Sequence, residues 1–311
     1  MTNDIWDTIV IGGGAAGLSA AQTLGRSLRR TLVIDAGSPR NRFADRVHNV
    51  LGHDGRPPAE LLGLGREEAL RYGVEFLSAS VRSVRDRGAG LVVSVDADTP
   101  LELEGRTIVV ATGARDALPD IPGLAEHWGS GVLHCPYCHG WEVRGRRIGV
   151  VTTSPLGMHQ ARLVRQWSDD VTVFSAGIGE LDAKTAGEFA ARGVRIVPDR
   201  VVGIVGGAGG IASVLTSDGA EHPVDAVFAA STPVPHDGFL AELGLDRAEQ
   251  PMGGDAVAVD AMHRTSHPRV WAVGNVAAPM ATVPLAAAAG AFAGAAVNAA
   301  LVEDDYRLAV A

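Results

Sequence analysis

The chain has 311 residues, 46% of them hydrophobic, and sets 36 acidic side chains against 27 Lys and Arg for a net charge of -9. That length suits two compact domains, and that apolar share fills buried cores, so disorder is not expected. An acidic chain offers poor footing for nucleic-acid phosphates or an anionic membrane surface, and neither is expected as a partner.

Residues 1–4 are polar with no basic n-region, which predicts no signal peptide and a cytoplasmic address. Residues 8–11 read as a short apolar strand, 12–17 as a Gly-rich turn, 15 to about 28 as a small-residue helix, and 31–35 as a second strand. Residues 91–95 alternate weakly, and 107–110 form a strand that ends in Ala111-Thr112-Gly113. Prolines at 119 and 122 break regular structure and place the first crossover there. A second α/β pattern follows, with strands at 148–151, 171–174, 194–197, 201–205, 211–215 and 226–230 and helices at 156–167 and 182–191. A last strand, 270–273, runs into Gly274-Asn275 and an Ala-rich segment, 285–301. Ala and Gly have little affinity for lipid, so that segment is read as a tightly packed buried helix rather than a membrane span. The two halves look like versions of one nucleotide-binding design, the second inserted into the first: 1–117 and 246–311 around a central 118–245.

Gly12-Gly13-Gly14-Ala15-Ala16-Gly17 fits G-x-G-x-x-G between a strand and a helix. Gly12 permits the tight turn, Gly14 lets backbone approach a pyrophosphate, Gly17 allows close helix–strand packing, and the helix N-terminus offers free amides. Asp35 ends the next strand, where an acid accepts hydrogen bonds from an adenosine ribose. Strand, turn, helix and acid together predict a bound dinucleotide; they do not separate FAD from NAD.

The second strand–turn–helix should carry its own glycines if it held NADPH. It reads Val151-Thr152-Thr153-Ser154-Pro155-Leu156-Gly157 instead. Thr152 and Ser154 add side chains where a pyrophosphate would press on backbone, and Pro155 removes an amide N–H. The following strand ends in Phe174-Ser175-Ala176-Gly177, with no cation before Lys184 to meet a 2′-phosphate. This domain is expected to keep its fold without a nicotinamide cofactor.

The chain's only two cysteines stand in Cys135-Pro136-Tyr137-Cys138-His139. Thiols at C-x-x-C spacing close a small disulfide ring, and the first is often acidified by its surroundings. Haem attachment, a zinc site from His134, Cys135, Cys138 and His139, and an inert buried pair are the other readings. A cytoplasmic chain argues against haem, and adjacent residues converge poorly on one tetrahedron, so no metal is expected. A redox-active dithiol is the preferred reading. Histidine titrates near neutrality, which makes His139 and His134, one flanking each cysteine, candidates for taking a thiol proton. Glu142 reads equally as a group that orients a histidine and as a solvated charge, and Trp141 as core or pocket wall.

Over essentially its whole length the chain resembles the low-molecular-weight thioredoxin reductases, and more closely their offshoot of gliotoxin- and holomycin-type dithiol oxidases. The marks are Cys135 to Glu142, the altered second turn, and Asp35-Ala36-Gly37-Ser38-Pro39-Arg40-Asn41 followed by His48-Asn49 and Asp54-Gly55. His139 stands where the reductases typically have Asp, and Asn275 where the family usually has Asp. The resemblance implies two Rossmann-like domains, a homodimer, and FAD held by Gly12, Gly14, Ala15, Ala16, Gly17, Asp35, Ala36, Arg40, Asn41, His48, Asn49, Ala111, Thr112, Gly113, Gly274, Asn275, Val283 and Pro284. It further implies oxidation of a small-molecule dithiol in natural-product biosynthesis: substrate thiolate attacks Cys135, Cys138 relays the electron pair to the flavin, and oxygen accepts it as hydrogen peroxide. Rival readings are an NADPH-dependent disulfide reductase, a reductase fed by ferredoxin or another flavoprotein, and a non-catalytic flavin sensor.

Overall fold

A computed structural model describes residues 5–96, 101–207, 210–250 and 254–310. In chain order these form β1 (Trp6–Ile11), α1 (Ala15–Arg26), β2 (Thr31–Asp35), α2 (Pro58–Arg71), β3 (Glu75–Ser78), β4 (Ser80–Asp86), β5 (Leu91–Asp96), β6 (Leu101–Val110) and β7 (Ala114–Ala117). Next come β8 (Val132–Leu133), α3 (Pro136–His139), β9 (Ile148–Val151), α4 (Pro155–Val164), β10 (Val171–Phe174), α5 (Ala183–Ala191) and β11 (Arg195–Val197). The chain continues through β12 (Val201–Gly207), β13 (Gly210–Thr216), β14 (Glu221–Pro223), β15 (Ala226–Ala229) and β16 (Thr232–Pro235). It ends with β17 (Arg247–Glu249), β18 (Asp255–Val257), β19 (Val270–Ala272) and α6 (Val283–Leu308).

The chain divides into two compact units, residues 1–115 with 233–311, and residues 116–232. The return crossing therefore lies at 232–233, a correction to the boundary expected after 245. The cause is hydrophobic: Leu240 is buried among Val84, Leu91 and Val93, with Phe239 and Leu243 packed beside it, and these belong to the first unit's core. The apolar run 239–245 is silent in sequence about which core it joins.

In the first unit β3, β2, β1 and β6 lie in that order as parallel neighbours, and β19 pairs with β6 as well. Strand β6 changes partners along its length. Its first half, Leu101 to Gly105, runs antiparallel to β5, and Ile108 to Val110 pairs with β19. Ile9, Val10, Val33, Ile108 and Val109 are fully buried, the continuous apolar run of strands covered on both faces. Helices α1 and α6 cover one of those faces, with Ala16, Ala20, Ala293 and Val297 in a single cluster. A Cβ at Gly290 would stand 2.0 Å from the Ala16 carbonyl oxygen, so the two helices meet backbone to backbone. At the far end Arg106 pairs with Asp7 at 3.0 Å and Asp305 at 2.6 Å, and Arg29 pairs with Asp305 at 2.8 Å, tying α6 to the sheet.

Helix α6 corrects the expectation of a buried helix. It runs from 283 to 308 and is long and apolar enough to cross a membrane by length and composition, but only 33% of its apolar window is buried. Gly290, Gly294 and Leu301 mark the packed stripe, while Leu285 and Phe292 on the other side are 61% and 48% exposed. Composition hid this asymmetry, because Ala and Gly look alike on either face.

The second unit repeats the pattern on a smaller scale. Its parallel strands lie in the order β11, β10, β9, β15, β8, and β12, β13 and β14 form an antiparallel sheet. Val150, Val173 and Phe228 are fully buried between its layers. Helices α2 and α3 and strands β3, β4, β7, β8, β14, β16, β17 and β18 are elements that the sequence reading does not anticipate. The strands among them are mostly two to four residues long, α3 is a single turn, and α2 carries Gly63 inside and Gly65 just after its apolar stretch, Leu61 to Leu64.

Candidate active site

In an open α/β sheet, ligands gather at the carboxyl ends of the parallel strands. In the first unit those ends deliver Gly12 after β1, Asp35 at the close of β2, Ala111 after β6, and Gly274 shortly after β19. Gly12 has φ +107°, and a Cβ there would stand 2.4 Å from the Ala111 carbonyl oxygen. A Cβ at Gly17 would stand 1.8 Å from the Gly12 carbonyl oxygen, so only glycine lets α1 seat against β1. The Cβ position at Gly14, by contrast, has nothing within 4 Å, which leaves that backbone open to a ligand. The Gly13 amide donates to Asp35 Oδ1 at 3.0 Å, which locks the acid beside the turn and leaves Oδ2 for a ribose hydroxyl.

The surrounding segments are drawn together by contacts that sequence alone did not show. A Cβ at Gly274 would lie 3.0 Å from Ala16 Cβ, which puts the Gly274-Asn275 segment against the start of α1. Arg40 Nη1 donates to the Pro279 carbonyl at 2.7 Å. Thr112 Oγ1 donates to the His236 carbonyl at 2.6 Å, and the His236 amide to the Gly113 carbonyl at 3.0 Å, so a residue of the returning chain pins the Ala111-Thr112-Gly113 turn. Nothing in the sequence around His236 signals that role. Asn49 takes the left-handed conformation at φ +62°; its amide donates to Asp54 Oδ1 at 2.9 Å, and His48 Nδ1 lies 3.3 Å from Asp54 Oδ2. The Asn49 amide, then His48, hold the Asp54 carboxyl below its ordinary range.

The second unit's counterpart turn has a threonine at the place of Gly12. Thr152 is 1% exposed, and its Oγ1 donates to the Phe174 carbonyl at 2.8 Å, as does its amide at 3.2 Å. Its side chain is thus spent on β10, where the first turn has only a glycine hydrogen. A Cβ at Gly177 would stand 2.4 Å from the Thr152 carbonyl oxygen, so the segment after β10 also closes on the turn.

The dithiol leaves the carboxyl end of β8, the same edge of the sheet from which Thr152 leaves β9, with β15 between them. Pro136 at the first helical position and Cys135 as the N-cap begin the single turn of α3, whose Cys138 and His139 amides both donate to the Cys135 carbonyl at 3.1 Å. Gly140 closes the turn against the Trp167 ring, where a Cβ would come within 2.7 Å. Behind it Gln160 of α4, 2% exposed, donates through Nε2 to the His134 carbonyl. Both cysteines are free thiols and part-buried. The Cys135 thiol is pulled down to about 7, first by the hydrogen bond from Cys138 and then by the backbone amides of Cys138 and Tyr137, against an opposing push from burial. Cys138 is pushed well up by that same bond, by burial, and by the charges of Cys135 and Glu142. The pair therefore shares one proton, with the charge on Cys135. His134 stands 6.2 Å from the Trp128 ring, and His139 is part-buried one residue past Cys138. Glu142 is exposed, and its charge reaches Cys138, so it is a surface group at the edge of the site. Tyr137 and Trp141 are 63% and 65% exposed, so Trp141 lies on the surface rather than in a core. Among the described residues no group of three or more His, Cys, Asp or Glu is placed to hold a metal ion.

The family model described as pyridine nucleotide-disulphide oxidoreductase matches residues 6–291. The chain belongs to that family. Thioredoxin reductase tcpT of Claviceps purpurea is 32% identical over 97% of this chain and 96% of its own length. Thioredoxin reductase sirT of Leptosphaeria maculans is 31% identical over 94% of both. Among solved structures, the crystal structure of HlmI aligns with a TM-score of 0.91 at 40% identity, covering 98% of this chain and 95% of that one. This pyridine nucleotide-disulphide oxidoreductase is thus a thioredoxin reductase-like oxidoreductase and an FAD-binding flavoprotein. The first turn fits that cofactor: an open cradle at Gly14, an acid locked at Asp35, and the Gly274-Asn275 segment packed alongside.

Proposed function

We propose that this flavoprotein oxidises a small-molecule dithiol to its disulfide through Cys135 and Cys138, with oxygen as terminal acceptor, in natural-product biosynthesis. The observation that supports the reading is Thr152: the turn that should admit a nicotinamide cofactor has, in place of its first glycine, a buried side chain hydrogen-bonded to β10. Electrons then enter from sulfur. A substrate thiolate attacks Cys135 Sγ of the oxidised pair, the enzyme disulfide breaks, and Cys138 leaves as thiolate. The second substrate thiol, deprotonated by His139 or His134, attacks the first substrate sulfur, and Cys135 leaves. A Cys135 thiol at about 7 is a good leaving group, since departure quickens as the leaving thiol's pKa falls. Bound FAD supplies a two-electron acceptor that passes the pair to oxygen, so dithiol and oxygen become disulfide and hydrogen peroxide. His48, Asn49, Ala111 to Gly113, Val283 and Pro284 take the cofactor-contacting roles in this reading, and the protein acts in the cytoplasm as a homodimer, for which the exposed Leu285 and Phe292 face of α6 offers an apolar surface.

Anaerobic mixing tests the direction of flow. Excess NADPH should leave the flavin absorbance in place, whereas a reduced dithiol should bleach it, and air should restore it with one peroxide per disulfide. Fast bleaching by NADPH together with indifference to dithiols would reverse the assignment. The Cys138→Ser variant should remain yellow and lose dithiol turnover by at least about a thousandfold.

A further inference from the structure

The segment between Gly274 and α6 has no secondary structure beyond the short 3-10 turn Gly274–Val276, yet it delivers the N-terminus of α6 to the cofactor side of the unit. One side chain organises it. Asn275 Nδ2 donates to the Ala278, Pro279 and Ala281 carbonyls at 3.2, 3.1 and 2.9 Å. Its two N–H bonds thus gather three carbonyls, and Arg40 Nη1 adds a second donor to Pro279. The segment so held lines an apolar cavity of about 780 Å³ together with Leu285, Phe292 and His263.

From this geometry we infer that Asn275 is a positioning residue that fixes the 278–281 loop, and through it the start of α6, by donating hydrogen bonds that an ionised carboxylate cannot donate. An Asp side chain is nearly the same shape but is acceptor-only when ionised. Placed here it would turn three attractive contacts into repulsion between oxygen atoms. Asn275 Oδ1 accepts no hydrogen bond from the described residues, which leaves it for a hydroxyl of the bound cofactor. Among the described residues the other charged or titratable groups facing the loop are Arg40, which supports it, and His263, whose burial lowers its pKa. The inference rests on FAD binding and not on the direction of electron flow.

The test compares Asn275→Asp, Asn275→Ala and Asn275→Gln in the full-length holoenzyme. Flavin fluorescence after dilution reads the FAD dissociation constant, and amide hydrogen exchange reads residues 277–282. At about pH 8 the Asp variant should release FAD at about tenfold lower protein concentration-normalised affinity than wild type, with faster exchange confined to 277–282. At about pH 5.5 the deficit should narrow, because the three facing carbonyl oxygens disfavour the ionised carboxyl and raise its pKa above the free value of about 3.9, and the protonated form regains a donor. Asn275→Ala should show a loss that does not depend on pH beyond any drift common to wild type, which accounts for His263, and Asn275→Gln should recover part of the protection. Equal affinity and exchange for the Asp variant and wild type at about pH 8 would overturn the inference, as would identical pH profiles for Asp and Ala. If the Asp variant does not fold, the Ala and Gln pair still decides: protection no better in Gln than in Ala counts against the clamp.

Discussion

Two turns of this chain descend from one plan and end differently. Gly12 to Gly17 keeps its backbone open at Gly14 and uses glycine at the two positions where any side chain would strike Ala111 or Gly12. Thr152 to Gly157 keeps the same close helix–strand approach, since a Cβ at Gly157 would stand 2.8 Å from Thr152 Cα, but puts a threonine bonded to Phe174 where the first turn has Gly12. The second turn retains the packing of strand on helix, and on the reading proposed above it has given up the binding of a phosphate. Its helix α4 keeps a use, because Gln160 grips the carbonyl that leads into the dithiol.

That comparison can be broken in three ways. The largest effect is expected from matched substitutions at the helix–strand contact. Gly17→Ala should destabilise the first unit by about 3 kcal/mol or more and yield colourless protein, because the new methyl overlaps the Gly12 carbonyl and displaces α1 from the cradle. Gly157→Ala should cost about 1–3 kcal/mol in thermal unfolding yet purify with a full complement of FAD. Loss of flavin from the second variant would show that the filled turn still serves a cofactor.

A smaller effect should appear in the titration of the dithiol. In the reduced enzyme Cys135 lies at about 7, below the ordinary value of 9.0. A thiolate reacts and a thiol does not, so alkylation by iodoacetamide should be flat above about pH 7 and fall about tenfold per unit below it. A midpoint near 9 would remove the helix-turn amides and the Cys138 hydrogen bond as the cause. The smallest effect is expected at the filled turn. Thr152→Val keeps shape and drops the hydroxyl; the Phe174 carbonyl keeps the Thr152 amide, so unfolding free energy should fall by about 1 kcal/mol, and NADPH should still leave the flavin oxidised.

Much of this was readable from residues. The strands at 31–35, 148–151 and 171–174 are short, largely apolar runs rich in Val, Ile and Thr between turn signals, and the glycines of the first turn announce their own geometry. The two cysteines stand alone in the chain, so their pairing needed no choice. What stayed hidden depends on long-range company. His236 pins the Thr112-Gly113 turn from more than a hundred positions away, and Gln160 reaches His134 from α4; neither sits in a pattern. Asn275 was read as a cofactor ligand, and its amide proves to be engaged with its own loop. Composition also misjudges α6, where a stripe of mostly small residues packs and the opposite stripe, Ala together with Leu285 and Phe292, does not. The second boundary was misplaced because an apolar run records how much it will bury and not against what.

The closed turn at Thr152 has a consequence for the cell. An enzyme of this family whose flavin answers to NADPH follows the cell's reducing state and slows when that reservoir is drained. On the direction of flow proposed above, the flavin is insulated from that reservoir. Its turnover is then set by how fast a reduced sulfur compound arrives and how much oxygen diffuses in, and at the cytoplasmic address proposed with it the enzyme would go on making disulfides where its surroundings work to break them.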